Sequence, residues 1–122
     1  MKSVLLVEDH GFFRQALAMF LEREANLEVV GEAGTIAEGR SFAASVKKFD
    51  IALVDLNLPD GDGVDVIRDL RQANPSACIL VFTISLDAAH RARAIEAGAD
   101  EVIGKETSLD ELVATVKRVA DA

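Results

Sequence analysis

Ile51-Ala52-Leu53-Val54-Asp55-Leu56-Asn57-Leu58-Pro59-Asp60-Gly61-Asp62-Gly63 decides the fold. The apolar run Ile51–Val54 goes without alternation into an acid, and a Pro-Asp-Gly-Asp-Gly loop follows it. Continuous apolar strands are buried on both faces, as when helices cover a parallel sheet. The same design recurs on either side: Val4–Val7 runs into Glu8-Asp9, Ile79–Phe82 into Thr83, and Glu101–Ile103 through Gly104 into Lys105. Parallel strands gather their last residues at one edge of a sheet, where the ligands of open α/β sheets bind. Acids, a central carboxylate, a hydroxyl and an amine would converge there from opposite ends of the chain.

Amphipathic stretches separate these runs. Phe13, Leu17, Phe20 and Leu21 repeat at helical spacing, with Arg14, Glu22 and Arg23 elsewhere on the wheel. Leu27–Gly31 reads as a shorter, more polar strand near an edge. A helix from about Ile36 to Val46 is entered through Gly34-Thr35, and the helix containing Val66, Ile67 and Leu70 stops at Asn74-Pro75. Cys78–Phe82 is the fourth strand, Ala88–Glu96 a helix that Gly98 is placed to cap, and Glu101–Ile103 the fifth strand. Ser108-Leu109-Asp110-Glu111 matches a capping box at the start of the last helix. Strict β–α alternation predicts a three-layer α/β/α domain with a five-stranded parallel sheet in flavodoxin-like order 2-1-3-4-5. That order sets the first strand beside the third, so Glu8, Asp9 and Asp55 become neighbours.

Residues 1–122 form one expected domain, long enough to bury about two-thirds of its unfolded surface. Thirteen Lys and Arg against twenty-one Asp and Glu give a net charge of −8. That argues against direct nucleic-acid binding by this domain, which needs a clustered basic footprint. The single cysteine, Cys78, cannot close an internal disulfide and suits a reducing compartment. No apolar stretch approaches the roughly 18–20 residues of a membrane span, and the start of the chain is unlike a signal peptide. A cytoplasmic protein without membrane attachment is expected. His10 and His90 lack a Cys or second His at ligand spacing, so no metal role is expected of them. Cys78 reads as packing, and the six Phe as scattered core residues.

Three neighbouring carboxylates disfavour one another's ionisation, and a divalent cation resolves the conflict. A few carboxylates with room for water and a phosphate oxygen suit Mg²⁺ better than an all-protein Ca²⁺ cage. Lys105 could pair with a phosphate oxygen, Thr83 could donate to it, and Asp55 could act as a nucleophile toward phosphorus. Each residue also has an ordinary reading: Glu8-Asp9 as a helix cap, Asp55 as a loop acid, Thr83 as a strand-end hydroxyl, Lys105 as a solvated lysine. Taken jointly and in order, they favour phosphoryl chemistry.

These residues resemble the receiver domain of two-component response regulators. Glu8-Asp9 is similar to its acidic pair, Asp55 to its phospho-accepting aspartate, Thr83 to its switch hydroxyl and Gly104-Lys105 to its lysine. Residues 7–39 most resemble receivers that precede a LuxR-type helix-turn-helix. The resemblance implies phosphoryl transfer to Asp55 from a histidine kinase or phosphotransfer protein, with Mg²⁺ held by Asp9, Asp55, the Asn57 backbone carbonyl and Glu8 through water. Thr83 and Lys105 would then close on the phosphate. The only implied catalysis is the domain's own phosphorylation and dephosphorylation. The output implied is control of transcription through a helix-turn-helix in a longer parent chain; a stand-alone regulator or phosphate sink is the alternative, and a homodimer is compatible with either.

Three positions depart from the family pattern. Val102 stands where an aromatic residue often relays the switch, so a weaker response of the fourth helix is expected. Glu106 stands where Pro often follows the lysine. Ile84 replaces a commonly small residue, and slower phosphorylation and hydrolysis are expected from its bulk. Other classes stay open with discriminating features. A haloacid-dehalogenase-like phosphohydrolase needs an acid at position 57, where this chain has Asn57. A flavin carrier needs a phosphate-binding loop after the first strand, where Glu8-Asp9-His10 would repel phosphate. A constitutive receiver-like binding module is the third.

Overall fold

A computed structural model describes residues 1–45, 48–83, 87–104 and 107–122. The elements run β1 (Lys2–Val7), α1 (Gly11–Glu22), β2 (Leu27–Ala33), α2 (Ile36–Ala44), β3 (Ile51–Asp55), β4 (Asn57–Leu58), β5 (Gly61–Asp62), α3 (Val64–Ala73), β6 (Cys78–Thr83), α4 (Ala88–Ala97), β7 (Glu101–Gly104) and α5 (Leu109–Asp121). The main sheet is parallel with order β2-β1-β3-β6-β7, the expected 2-1-3-4-5 once the short β4–β5 pair is set aside.

Alternate residues of each central strand feed two separate cores. Leu5, Val7, Ala52, Val54, Ile79 and Val81 pack with Ile36 of α2, Val66, Ile67 and Leu70 of α3, and Ala94 of α4. Val4, Leu6, Ile51, Leu53, Leu80 and Phe82 pack with Leu17 and Leu21 of α1 and Leu112 and Val116 of α5. The strands are therefore apolar at every position because period-two alternation points successive side chains into different layers. At about 25 cal/mol per Å² of apolar surface, both cores stabilise this arrangement over any one-residue slip.

Local sequence sets the helix ends. Thr35 Oγ1 accepts from Glu38 N at 3.1 Å while Glu38 Oε1 accepts from Gly34 N at 2.8 Å, a variant of the capping box on α2 in which Glu38 reaches one residue past the N-cap. Ser108 Oγ accepts from Glu111 N at 3.2 Å, as expected for α5. Gly98 ends α4 with φ of 126°, a region that glycine enters without a Cβ clash.

Several boundaries differ from the sequence reading. β2 continues past Gly31 to Ala33, whose carbonyl accepts Glu8 N at 2.8 Å and so lengthens the sheet toward the acidic residues. The Asn57–Asp62 loop contains a small antiparallel hairpin, β4–β5. Phe12 is 93% exposed, so the phenylalanines are not all core residues. Phe13 pairs with Phe82 at 5.9 Å and Phe42 with Phe49 at 6.0 Å between ring centroids. Cys78 is half-buried against the α1/α5 core; burial, aided by Asp100 and Glu101, pushes its thiol up to about 11. That favours packing over nucleophilic chemistry.

Candidate functional site

β1 and β3 pair in register up to Val7 and Val54, so the next residue of each chain, Glu8 and Asp55, emerges at the carboxyl edge. β6 ends there at Thr83, which pairs with Gly104 of β7. Lys105 follows Gly104 in the chain but lies outside the described residues, as do Ile84 and Glu106. Among the described residues, the buried polar or charged side chains are Glu8 (1% exposed), Asp55 (0%) and Thr83 (1%), and all three meet at this edge. Burying such groups is costly unless hydrogen bonds or counter-charge accompany them.

Neighbouring groups fix their positions. Asn57 N donates to Asp55 Oδ1 at 2.9 Å, orienting the central carboxylate from its own loop. Asn57 Nδ2 donates to Thr83 Oγ1 at 3.2 Å. Arg14 Nη1 donates to the Glu8 carbonyl at 2.5 Å and Arg14 Nε to Glu32 Oε1 at 3.1 Å, so α1 pins the corner after β1. Gly63 is the closest backbone approach: a Cβ there would stand 2.6 Å from the Asp55 carbonyl oxygen. His10, the residue after Glu8-Asp9, occupies the N-cap position of α1 and makes no side-chain capping bond.

One ligand atom each from Glu8, Asp9, His10 and Asp55 lies within 4.8 Å of the others. Asp9 Oδ1 is buried and accepts no hydrogen bond among the described residues. An acid-rich donor set containing such an oxygen fits a divalent cation, the partner a carboxylate cluster of this kind calls for. The sequence reading left His10 out of this group. Its ring nitrogen Nδ1 stands 3.3 Å from Glu8 Oε1 and 3.4 Å from Asp9 Oδ1. Its direct succession to Glu8-Asp9 was the available signal.

A cleft of about 650 Å³ opens beside the cluster, lined in part by Asp9, Asn57, Pro59, His90 and Arg93. Its far wall is tied to the hairpin, since Arg93 Nη2 of α4 reaches Asp62 Oδ2 at 2.8 Å and His90 Nε2 stands 3.7 Å from Asp62 Oδ1. Burial pushes the Asp62 carboxyl up, but the Val64 N–H and the Arg93 charge outweigh it and hold the group below its usual range. Arg14, the Asn57 side chain and this α4 tether were not singled out from the sequence. Each depends on contacts between different elements, and those of Asn57 and Arg93 join positions 26 and 31 residues apart.

Among the described residues no helix is long and apolar enough to cross a membrane. The chain is 36% identical over 119 residues to the DNA-binding transcriptional activator DevR/DosR of Mycobacterium tuberculosis, covering 98% of this chain and 54% of that protein. It spans about half the length of the curated relatives it matches. It is similar to the crystal structure of a LuxR-family two-component response regulator from Aurantimonas, with TM-score 0.85, 30% identity, and coverage of 99% of this chain and 86% of that one. A CheY-like receiver domain from Methanospirillum hungatei gives TM-score 0.89 at 26% identity, covering 99% of this chain and 94% of that one. The model of the family described as the response regulator receiver domain matches residues 4–117, and the chain belongs to that family.

Proposed function

We propose that Asp55 is the phospho-accepting residue of this receiver and that Glu8, Asp9, Asp55 and the Asn57 backbone carbonyl hold Mg²⁺ beside it. The observation that carries this reading is the meeting of Glu8, Asp55 and Thr83, the buried polar side chains of the described residues, at one strand edge. When bound, Mg²⁺ would offset the charge of the carboxylates and of the transferring phosphoryl group.

The Asp55 carboxylate forms an O–P bond as the N–P bond of a phosphohistidine breaks. The bonding pair stays on the departing imidazole, which takes its proton from solvent. The Asn57 N–H holds the carboxylate in line through Oδ1. Thr83 then donates its hydroxyl hydrogen to the phosphoryl group, and Lys105 supplies positive charge. The added charge is about −1.5 to −2, and a swing from 1:99 to 99:1 requires about 5.5 kcal/mol of preference for the active state.

Val102 is half-buried against the core that includes α3 and α4 and pairs with Val81 of β6. An aliphatic side chain there has no ring to turn inward, so α4 responds through Thr83 and backbone motion. The phosphodonor is a histidine kinase or phosphotransfer protein in the cytoplasm, and the output is a DNA-binding helix-turn-helix in the parent protein. The similarity to the DevR/DosR activator and to the LuxR-family regulator supports that output.

Incubation with acetyl phosphate and Mg²⁺ tests the core of the reading. Mass spectrometry should show one labile phosphoryl group, absent from Asp55→Asn and from samples with the metal chelated. A phosphoryl group retained in Asp55→Asn would place the chemistry on another residue.

A further inference from the structure

We propose that Arg93 of α4 is a positioning residue for the reaction at Asp55: through Asp62 it holds the hairpin that presents Asn57 to the acceptor. The inference rests on Asp55 as the acceptor, as in the preceding reading. Asn57 and Asp62 are paired residues of β4 and β5. Arg93 Nη2 donates to Asp62 Oδ2 at 2.8 Å, and His90 Nε2 stands 3.7 Å from Asp62 Oδ1. Across the hairpin, the Asn57 N–H reaches Asp55 Oδ1 at 2.9 Å and its side chain reaches Thr83 Oγ1 at 3.2 Å. Four residues on four elements thus form one line of contacts, Arg93–Asp62–Asn57–Asp55.

Two features let this line carry force. A pair of two-residue strands has little stability of its own, so its attachments to neighbouring elements decide where it sits. Those attachments include Asp60, which accepts from Ile36 N and Ala37 N of α2, and Asp62, which takes the bond from α4. On the other side of the clasp, the residues that α4 buries are Ala94 and Ala97, both small. Modest packing therefore fixes this helix, and its polar bonds to the hairpin weigh more. With Val102 in place of a ring, the hairpin gives α4 a connection to Asp55 that does not pass through Thr83. Such coupling is reciprocal: whatever holds α4 against the hairpin also keeps Asn57 on the acceptor.

The initial rate of phosphorylation by acetyl phosphate with Mg²⁺ should be followed by mass spectrometry in the wild type, Arg93→Gln, Asp62→Asn and the double variant. Asparagine at position 62 keeps an oxygen for the Val64 N–H that starts α3. Each single variant should slow the reaction about two- to fivefold, the size set by a half-exposed ion pair, and the double variant no more than either. Arg91→Gln, the same change of charge at an exposed position of α4, should stay within about 1.5-fold. The Asn57 amide resonance should shift in both clasp variants and stay in place in Arg91→Gln. An Arg93 that only drew the anionic donor into the cleft would make Asp62→Asn faster, so opposite signs in the two single variants overturn the proposal. Losses that add in the double variant, or an unmoved Asn57 resonance, overturn it as well. A phosphoryl group retained in Asp55→Asn overturns the acceptor assignment itself, and the inference with it.

Discussion

Asn57 Nδ2 donates a 3.2 Å hydrogen bond to Thr83 Oγ1, joining the loop after β3 to the end of β6 across 26 residues. Asn57 also orients Asp55 through its backbone N–H, so one residue touches both the proposed acceptor and the hydroxyl proposed to read its phosphate. A double-mutant cycle with Asn57→Ala and Thr83→Val should give a coupling of about 0.5–1.5 kcal/mol in unfolding free energy. With beryllofluoride and Mg²⁺ present, Thr83 is drawn to the phosphate mimic and the coupling should shrink. Coupling that is unchanged by the mimic would mean that Thr83 does not move.

Gly63 caps α3 at an ordinary φ of −62°, so its importance lies in contact and not in backbone freedom. A Cβ would meet the Asp55 carbonyl oxygen at 2.6 Å and Leu56 Cα at 2.9 Å, both backbone atoms that cannot swing aside. Gly63→Ala should cost about 1–3 kcal/mol by urea unfolding and weaken Mg²⁺ binding as Asp55 is displaced. Gly11→Ala is the control: nothing lies within 4 Å of its added Cβ, and it should be neutral or slightly stabilising.

The main sheet was legible because its signal is redundant. Runs such as Leu5-Leu6-Val7 and Leu53-Val54 need apolar side chains on both faces, and their order in the chain sets the edge where Glu8, Asp55 and Thr83 meet. The hairpin at Asn57–Asp62 was not legible, since strands of two residues are too short to show a period. Gly31 reads as a strand end by composition, but the glycine serves close packing within β2: a Cβ would stand 2.6 Å from the Phe42 ring. Phe12 and Phe13 are adjacent, and only the exact phase of α1 decides that Phe13 packs while Phe12 faces solvent. His10 stands 3.3 Å from Glu8 Oε1 and 3.4 Å from Asp9 Oδ1, a proximity that depends on how the chain turns between β1 and α1 and not on residue spacing.

At the opposite end of the sheet, Arg71 binds four groups together. Its Nη1 donates to the Ala77 carbonyl at 2.6 Å, Nη2 to the Gly98 carbonyl at 2.7 Å and to Asp100 Oδ2 at 2.7 Å, and a further bond reaches Pro75. Asp100 Oδ2 also accepts Ile79 N at 2.8 Å, so the guanidinium holds the starts of β6 and β7 in place. Lysine presents one nitrogen and cannot span these acceptors. Arg71→Lys should cost about 2–3 kcal/mol and leave the rate of phosphorylation by acetyl phosphate within about twofold. A large loss of phosphorylation at full folding would couple this end of the sheet to the acidic edge.

Acid should release the hairpin before it melts the sheet. Asp60 accepts from Ile36 N at 2.8 Å and Ala37 N at 3.1 Å, and these bonds hold its carboxyl below the ordinary value of 3.8. Asp62, also held low, ties the hairpin to Arg93 of α4. A lowered folded-state value means that the folded protein favours the ionised form. The resulting stability is fully present above the unfolded value and is lost as pH falls through the folded one. Asp60→Asn should therefore be destabilised relative to wild type at pH about 6, and the gap in urea midpoint should close toward pH about 3 as the wild-type carboxyl takes up its proton. A gap of constant size across that range would show that the bonds to α2 do not depend on the charge.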